Sequence, residues 1–289
     1  MCLLLQISAI LSDYDGTLCP TSNAKDFKSN KIPVELDDTL SEISKDIPVC
    51  VVSSKDYGFL CDKTRFARIV SCIMGIETIV LESRVGDDDA HRKNGSDHSV
   101  EAHLITDITS LSGSSKLLTS LGKEIGQTFS DVSIDYKYTS KERILAGITI
   151  DYRHLEDWPS YKTIVEPLLY ERIQQTKSQR SASISELYVE TYSTHPLLDI
   201  YGIKCDKGSA FDSVLRLLDI DRSKKIMYLG DSENDNAAFA KADVSIGVRS
   251  DRRLSPRLDC QYAVGFDRLP LFLRRLLHHN FEFSDDLFY

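Results

Sequence analysis

The stretch that constrains this chain most is Ile7-Ser8-Ala9-Ile10-Leu11-Ser12-Asp13-Tyr14-Asp15-Gly16-Thr17-Leu18. An apolar run stops at two carboxylates two positions apart, and Gly and Thr follow. A short apolar run that ends in a turn signal reads as a buried strand. Side chains alternate along a strand, so Asp13 and Asp15 share a face if the strand continues. Gly16 lets the chain wrap back toward them instead. Both acids then stand at the carboxyl end of a buried strand, where open α/β sheets bind ligands. Like charges repel in a partly dry site, so the pair is costly without a counter-charge. Two solvated turn residues are the plain alternative. The chemical reading needs a cation, a further acid and groups that hold phosphate elsewhere in the chain.

The 289 residues suffice for one large or two smaller domains. A net charge of -9 argues against a nucleic-acid surface, which needs a basic stripe. It leaves room for an anionic substrate at a locally cationic site. The seven cysteines, Cys2, Cys19, Cys50, Cys61, Cys72, Cys205 and Cys260, are odd in number and form no C-x-x-C. That pattern suits reduced thiols in a cytoplasmic protein rather than a disulfide frame or zinc site. Cys19 lies just past the acids and reads as a small packing residue. The apolar Met1-Cys2-Leu3-Leu4-Leu5 lacks basic residues and a cleavage site. It is too short to span a bilayer and reads as an inner strand, and no membrane association is expected.

Leu36, Leu40, Ile43 and Ile47 recur at helical spacing after a polar loop from Pro20 to Pro33. Ile47 to Val52 is a second buried strand ending in Ser53-Ser54-Lys55-Asp56. Strand, helix, strand predicts two adjacent parallel strands. Residues 57–75 read as helix or short helices, and Ile76 to Leu81 as a third strand. Residues 85–103 are a polar hairpin or loop; its Asp87-Asp88-Asp89 run reads as a solvated charge run. Residues 104–196 look like a separate α/β unit, after which Leu197 to Ile200 resumes the first pattern. Alternating β and α on both sides of the insertion predicts a doubly wound parallel sheet, residues 1–84 and 197–289, interrupted by an α/β cap.

Four strand ends or loops then carry polar groups: Asp13 and Asp15; Ser53; Lys207; and Asp231, Asn234 and Asp235. If the strands are parallel, these converge on one edge. Each suits phosphoryl transfer. Mg²⁺ takes oxygen ligands from a few carboxylates and keeps several waters. Lysine and hydroxyl donors stabilise phosphoryl oxygens, and a carboxylate can attack phosphorus. Lys204 competes with Lys207 for the ammonium role. Lys207 is favoured because Gly208-Ser209-Ala210 follows as a helix start suited to anions.

Asp13-Tyr14-Asp15-Gly16-Thr17-Leu18, Ser53 after Val51-Val52, Asp206-Lys207-Gly208-Ser209-Ala210 and Gly230-Asp231-Ser232-Glu233-Asn234-Asp235 resemble, in order, the four motifs of the haloacid dehalogenase superfamily of phosphotransferases. The resemblance implies Asp13 as nucleophile and Asp15 as the acid that protonates the leaving alkoxide and later activates water. It implies Mg²⁺ held by Asp13, Asp231 and the backbone carbonyl of Asp15. Asn234 and Asp235 would hold the metal's waters or orient Lys207. Ser53 and Lys207 would clamp the phosphoryl group.

The insertion resembles the caps of the sugar-phosphate phosphatase branch. Ile148-Thr149-Ile150-Asp151-Tyr152-Arg153 with Asp157-Trp158-Pro159, and Leu198-Asp199-Ile200 before Asp206-Lys207-Gly208, are similar to trehalose-phosphatases. The chain departs from that family in four places. Asp151 stands for a His, Ser54-Lys55 for Gly-Arg and Asn234 for a Thr, and Glu82-Ser83-Arg84 lacks an Asn-Gly.

Arg153 is a candidate substrate contact from the cap, with a surface strand arginine as the alternative. Tyr152 reads as core, and Arg84, His91, His98 and His103 as surface. The expected function is a Mg²⁺-dependent phosphatase for a small phosphorylated metabolite, first a sugar phosphate such as trehalose 6-phosphate. Phosphoglycolate or a glycosyl-3-phosphoglycerate is the alternative substrate, a phosphomutase the alternative chemistry. A regulatory binding protein that keeps the fold is the non-enzyme alternative; loss of Asp13 or Asp15 would be its mark, and both are present.

Overall fold

The computed structural model describes residues 5–20, 31–81, 100–179, 187–193, 195–221, 223–250 and 257–289. Residues 1–4, most of the loop from Pro20 to Pro33, the run 87–89, Arg84, His91 and His98 lie outside the described residues.

Strands β1 (Leu5–Ser12), β2 (Val49–Val52), β3 (Ile69–Cys72), β4 (Glu77–Leu81) and β5 (Val100–Leu104) come first, with helices α1 (Val34–Ile43) and α2 (Tyr57–Leu60) among them. Then follow α3 (Ile108–Thr128), β6 (Ser133–Tyr138), β7 (Leu145–Asp151), α4 (Trp158–Gln179), β8 (Tyr188–Thr191) and β9 (Leu197–Tyr201). The chain ends with α5 (Lys207–Leu217), β10 (Lys225–Gly230), α6 (Asn236–Phe239), β11 (Val244–Arg249), β12 (Tyr262–Gly265), α7 (Leu269–His278) and β13 (Glu282–Phe283).

Among the described residues, one sheet runs β12-β11-β10-β1-β2-β3-β4-β5, with β13 antiparallel to the start of β1. Neighbours from β12 to β3 are parallel. From β1 the chain builds outward through β2 and β3; from β10, beside β1, it builds the other way through β11 and β12. The crevice between β1 and β10 is therefore the topological switch point, where such sheets bind ligands.

Alternation along β1 explains how the sheet is covered. Ala9 and Leu11 pack with Phe211 and Val214 of α5 and Phe239 of α6. Ile10 packs with Leu36 and Leu40 of α1 and Phe272 and Leu273 of α7. Ile7 joins the Ile10 side because the register against β10 slips between Ile7 and Ala9. That irregularity inserts one residue and restores the face. The same alternation puts Asp13 on the Leu11 side, toward the start of α5.

Three expectations change. Residues 57–75 are not a run of helix: after α2 the chain forms β3. Ile69-Val70 is a short apolar run, which periodicity cannot distinguish from a helix turn, and its β-branched residues fill a strand buried on both faces. The strand at Glu77–Leu81 is antiparallel, because only Ile73 to Ile76 separate it from β3, the first three of them at positive φ. Val100–Leu104, expected within a polar hairpin or loop and at the start of the insertion, pairs with β4 in this sheet.

Leu197–Tyr201 also departs from expectation. It does not resume the first sheet but lies inside a second, antiparallel one of order β6-β7-β9-β8. Asp199 between Leu198 and Ile200 is the reason. A central parallel strand is apolar on both faces, whereas this one has a polar face. Leu198, Ile200, Ile148 and Ile150 pack against Leu118, Leu121 and Ile125 of α3 and Val165 and Leu169 of α4. The opposite face turns toward the first sheet. The result is an α/β core with an inserted α/β cap. No described helix is long and apolar enough to cross a membrane, and the six described cysteines are free thiols.

On the polar face, Lys137 Nζ donates to Asp199 Oδ1 at 2.8 Å, and Lys137 and Asp199 are both buried. Tyr192 and Thr149 hydroxyls also donate to Asp199. Breaking a buried pair on one side strands the other charge, at a cost of about 3–5 kcal/mol. Asp199→Ala should therefore lower the urea-unfolding free energy of the cap by about that much. Fluorescence of Trp158, the chain's one tryptophan, reports it because Trp158 packs against the cap core. Adding Lys137→Met should recover most of the loss. Equal stability of Asp199→Ala and the parent would contradict the assignment.

Candidate active site

Past β1, the Asp13 N–H still bonds Leu229 O of β10 at 2.9 Å. The chain then closes a tight loop. Leu18 and Cys19 N–H both donate to Tyr14 O, and Gly16 N–H donates to Cys19 O at 2.7 Å. Gly16 has φ +85°, and a Cβ there would collide with the Asp231 carboxylate. Only glycine both adopts that backbone without strain and admits Asp231 so closely. Thr17 Oγ1 donates to Asp231 Oδ1 at 3.4 Å. The loop after β1 thus rests on the loop after β10.

The carboxylates of Asp13, Asp231 and Asp235 offer oxygens that all lie within 4.8 Å of one another. Among them stands Lys207, at the first turn of α5, with Nζ 2.8 Å from Asp13 Oδ1 and 2.7 Å from Asp235 Oδ1. Lys207 is 1 %, Asp13 5 % and Asp235 0 % exposed, so water does little to screen this cluster. Burial works against the Lys207 charge, but Asp13 and Asp235 outweigh it and hold the ammonium protonated, its pKa raised. Burial, with the charges of Asp235 and Asp15, pushes Asp13 up to about 7 against the pull of Lys207. Lys204, the competing ammonium, is exposed on the connection into α5.

Asp235 is spoken for on both oxygens. Oδ1 accepts Lys207 Nζ and the Tyr228 hydroxyl at 2.8 Å. Oδ2 accepts the N–H groups of Asp231 and Ser232, each at 3.0 Å. Its place is to aim Lys207 and to shape the loop that presents Asp231. Asn234 turns to the cap, with Nδ2 donating to the Tyr192 hydroxyl at 3.2 Å. Ser53 is buried at the end of β2, and its Oγ accepts the Lys55 N–H at 3.2 Å. Because Ser12 pairs with Val51, Ser53 stands at the strand end beside Asp13 and Tyr14. Asp15 is half-buried beyond them.

Arg153 does not extend freely. Its Nε and Nη2 grip Asp151 in a fork, with Nη2 2.7 Å from Oδ2. A residue that does reach across from the core was noted in the sequence only as a departure from the family. Lys55 Nζ pairs with Asp135 Oδ2 of the cap at 3.4 Å. Burial works against the Lys55 charge, but Asp15 and Asp135 outweigh it and raise its pKa. Its sequence signal was its position, two residues past Ser53 at a strand end. Asp135, Thr149, Asp199 and Glu190 were also passed over. They form one row across all four cap strands, since Asp135 pairs with Thr149, Thr149 with Asp199 and Asp199 with Glu190. The segments quoted for the family likeness contain Thr149 and Asp199 but give them no role; the signal of the row is a polar residue at every second position of otherwise apolar strands.

The three clustered carboxylates against one buried ammonium suit a hard divalent cation with oxygen ligands. Asp235's saturated oxygens leave Asp13 and Asp231 as the acids to hold it. Two outcomes follow from this geometry. Gly16→Ala should cut activity roughly 100-fold by displacing Asp231, with the far-UV spectrum unchanged; an active Gly16→Ala protein would contradict the packing. The second concerns pH. Between an unfolded-state value near 4 and a folded value of about 7, the folded chain keeps a proton on Asp13 that the unfolded chain releases. Without metal, Asp13 therefore subtracts stability as pH rises through that window. In EDTA, the melting temperature of Asp13→Asn should gain on the parent between about pH 4 and about pH 7 and level off above that; a constant gap would contradict it.

A family profile described as haloacid dehalogenase-like hydrolase matches residues 10–253. No curated protein matches in a sequence comparison. Among solved structures, the C-terminal domain of trehalose-6-phosphate phosphatase from C. albicans is similar at 16% identity and TM-score 0.66, covering 95% of this chain and 93% of its own. A haloacid dehalogenase-like hydrolase from Bacteroides thetaiotaomicron is similar at 14% identity and TM-score 0.58, covering 94% and 100%. A trehalose-6-phosphate phosphatase related protein is similar at 17% identity and TM-score 0.56, covering 94% and 98%. At these identities the likeness is one of fold, while the profile spans most of the chain and its start and end bracket all four polar strand ends: the chain belongs to the haloacid dehalogenase-like hydrolases.

Proposed function

We propose that this chain is a Mg²⁺-dependent phosphatase that hydrolyses a small sugar phosphate through an aspartyl-phosphate on Asp13. The observation that carries the reading is the buried Lys207 ammonium between Asp13 and Asp235, with Asp231 beside them. In this reading the core is the first sheet with its helices, and the cap comprises α3, α4 and the second sheet. The free thiols support a cytoplasmic location.

Asp13 attacks phosphorus, forming an O–P bond while the ester P–O bond breaks. Asp15 gives its proton to the departing alkoxide. Asp15 then takes a proton from a water whose oxygen attacks the same phosphorus, releasing inorganic phosphate and restoring the Asp13 carboxylate. Lys207 and Ser53 hold the phosphoryl oxygens, fixed in place by Asp235 and by the end of β2. Asp13, Asp231 and the Asp15 carbonyl would hold Mg²⁺, which would supply charge neutralisation for the phosphoryl group. The cap above the site excludes bulk water, which strengthens each of these interactions.

The cap row supports a sugar over an acid. Asp135 and Glu190, which are not fully buried, are hydrogen-bond acceptors matched to hydroxyl donors. The nearby cations are already paired: Lys55 with Asp135, Lys137 with Asp199 and Arg153 with Asp151. Phosphoglycolate or a phosphoglycerate would bring a further carboxylate to this acidic ceiling, where like charges repel.

Assays with Mg²⁺ and a panel of trehalose 6-phosphate, glucose 6-phosphate and phosphoglycolate should give a sugar phosphate at least about ten-fold higher kcat/KM than phosphoglycolate. The reverse order would reject the sugar reading. Asp15→Ala should lose about 100-fold or more in sugar-phosphate turnover. With p-nitrophenyl phosphate, whose leaving group needs no proton, it should still release one nitrophenolate per enzyme in a burst. Absence of that burst would remove Asp15 from the role of acid and base.

A further inference from the structure

Several seams join the cap to the core, and one ends on the loop that carries the acids. Tyr192, just past β8, is 4 % exposed. Its hydroxyl donates to Asp199 Oδ2 at 2.7 Å and accepts from Asn234 Nδ2 at 3.2 Å. The next residue, Ser193, donates its N–H to Glu233 Oε2 at 2.9 Å, and its hydroxyl bonds Glu233 Oε1. Two consecutive cap residues thus grip two consecutive residues of the turn between β10 and α6.

The hydrogen bonds run on from there without a gap. Ser232 Oγ donates to Asn234 Oδ1 at 2.7 Å, the Ser232 N–H donates to Asp235 Oδ2, and Asp235 Oδ1 holds Lys207, which holds Asp13. The chain has a direction. A tyrosine hydroxyl has one proton, and Asp199 takes it, because Lys137, Thr149 and Tyr192 together keep that buried carboxylate ionised. The hydroxyl therefore presents only lone pairs to Asn234, which fixes which end of the amide faces Ser232. The other seams land elsewhere: Lys55 on Asp135, Asp56 on the Tyr138 N–H, and Glu77 on Ser140, all from the β2–β4 half of the core.

We propose that Tyr192 is a positioning residue which, with Ser193, clamps the Glu233–Asn234 turn, so that seating the cap and ordering the acidic pocket for a divalent cation are one linked equilibrium. Linkage is reciprocal: an ion that orders the pocket seats the cap by the same factor that the seated cap tightens the ion. The inference takes its ion from the function proposed above and adds a residue that touches neither ion nor substrate.

The test is a double-mutant cycle on the full chain, with Mg²⁺ alone titrated calorimetrically into the parent, Tyr192→Phe, Asn234→Ala and the double variant. Tyr192→Phe keeps the buried ring, and its melting temperature checks the fold. It should weaken Mg²⁺ roughly five-fold or more, and the double variant should bind no more weakly than Asn234→Ala, because the two residues act in series. Hydrogen exchange supplies the reciprocal readout: Mg²⁺ should protect β8 and β9 in the parent and not in Tyr192→Phe. Parent-like Mg²⁺ affinity in Tyr192→Phe, or losses that multiply in the double variant, would overturn the clamp alone. A parent that binds no Mg²⁺ would overturn the proposed function and the clamp with it.

Discussion

The ammonium of Lys207 is the charge on which this structure turns. Three carboxylates crowd the switch point of the sheet, and burial denies Asp13 and Asp235 the water that would separate their charges. A charge pair a few ångströms apart in such surroundings interacts with several times its strength in water. Lys207 bonds Asp13 and Asp235 at once, and Asp235 in turn ties down Tyr228 and the N–H groups of the loop bearing Asp231. Remove that ammonium and the acids are left with mutual repulsion. Keep it, and three carboxylates still face a single ammonium, an excess of two negative charges that a divalent cation would balance.

The backbone around this group is as constrained as the charges. The loop after β1 and the loop after β10 come from opposite ends of the chain, and they touch at Gly16 and Asp231. A pleated strand carries Asp13 to the Leu11 side of the sheet, where the first turn of α5 delivers Lys207. Packing and electrostatics therefore specify the same arrangement, the consistency across levels expected of a well-defined native state. The cap follows a different rule. Its sheet is apolar toward α3 and α4 and polar toward the core.

Much of the site was legible because its residues sit at strand ends with turn signals. Asp13, Asp231 and Asp235 were marked by an apolar run that stopped and Lys207 by the helix start that follows it, and the four meet. The alternation of strands and helices disclosed the doubly wound core in the same way. Where the reading failed, local pattern carried no unique answer. Ile69-Val70 fits a helix face as well as a strand, and strand direction at Glu77 depended on three residues of left-handed backbone. Leu198-Asp199-Ile200 looked like a return to the core because two apolar residues outvoted one acid, yet that acid decided which sheet the strand joined. The roles of Lys55 and of the row from Asp135 to Glu190 were not given by the motifs, since their meaning comes from cross-strand register and from what lies opposite.

The central claim is that Asp13 becomes covalently phosphorylated, held there by Lys207. Its most direct measurement is peptide mapping by mass spectrometry after the enzyme is mixed with a sugar phosphate and Mg²⁺ and quenched in acid. The account predicts a phosphoryl adduct on the peptide that contains Asp13, lost when Lys207 is changed to Ala. Turnover with no adduct on that peptide, or an adduct on a different residue, would contradict it.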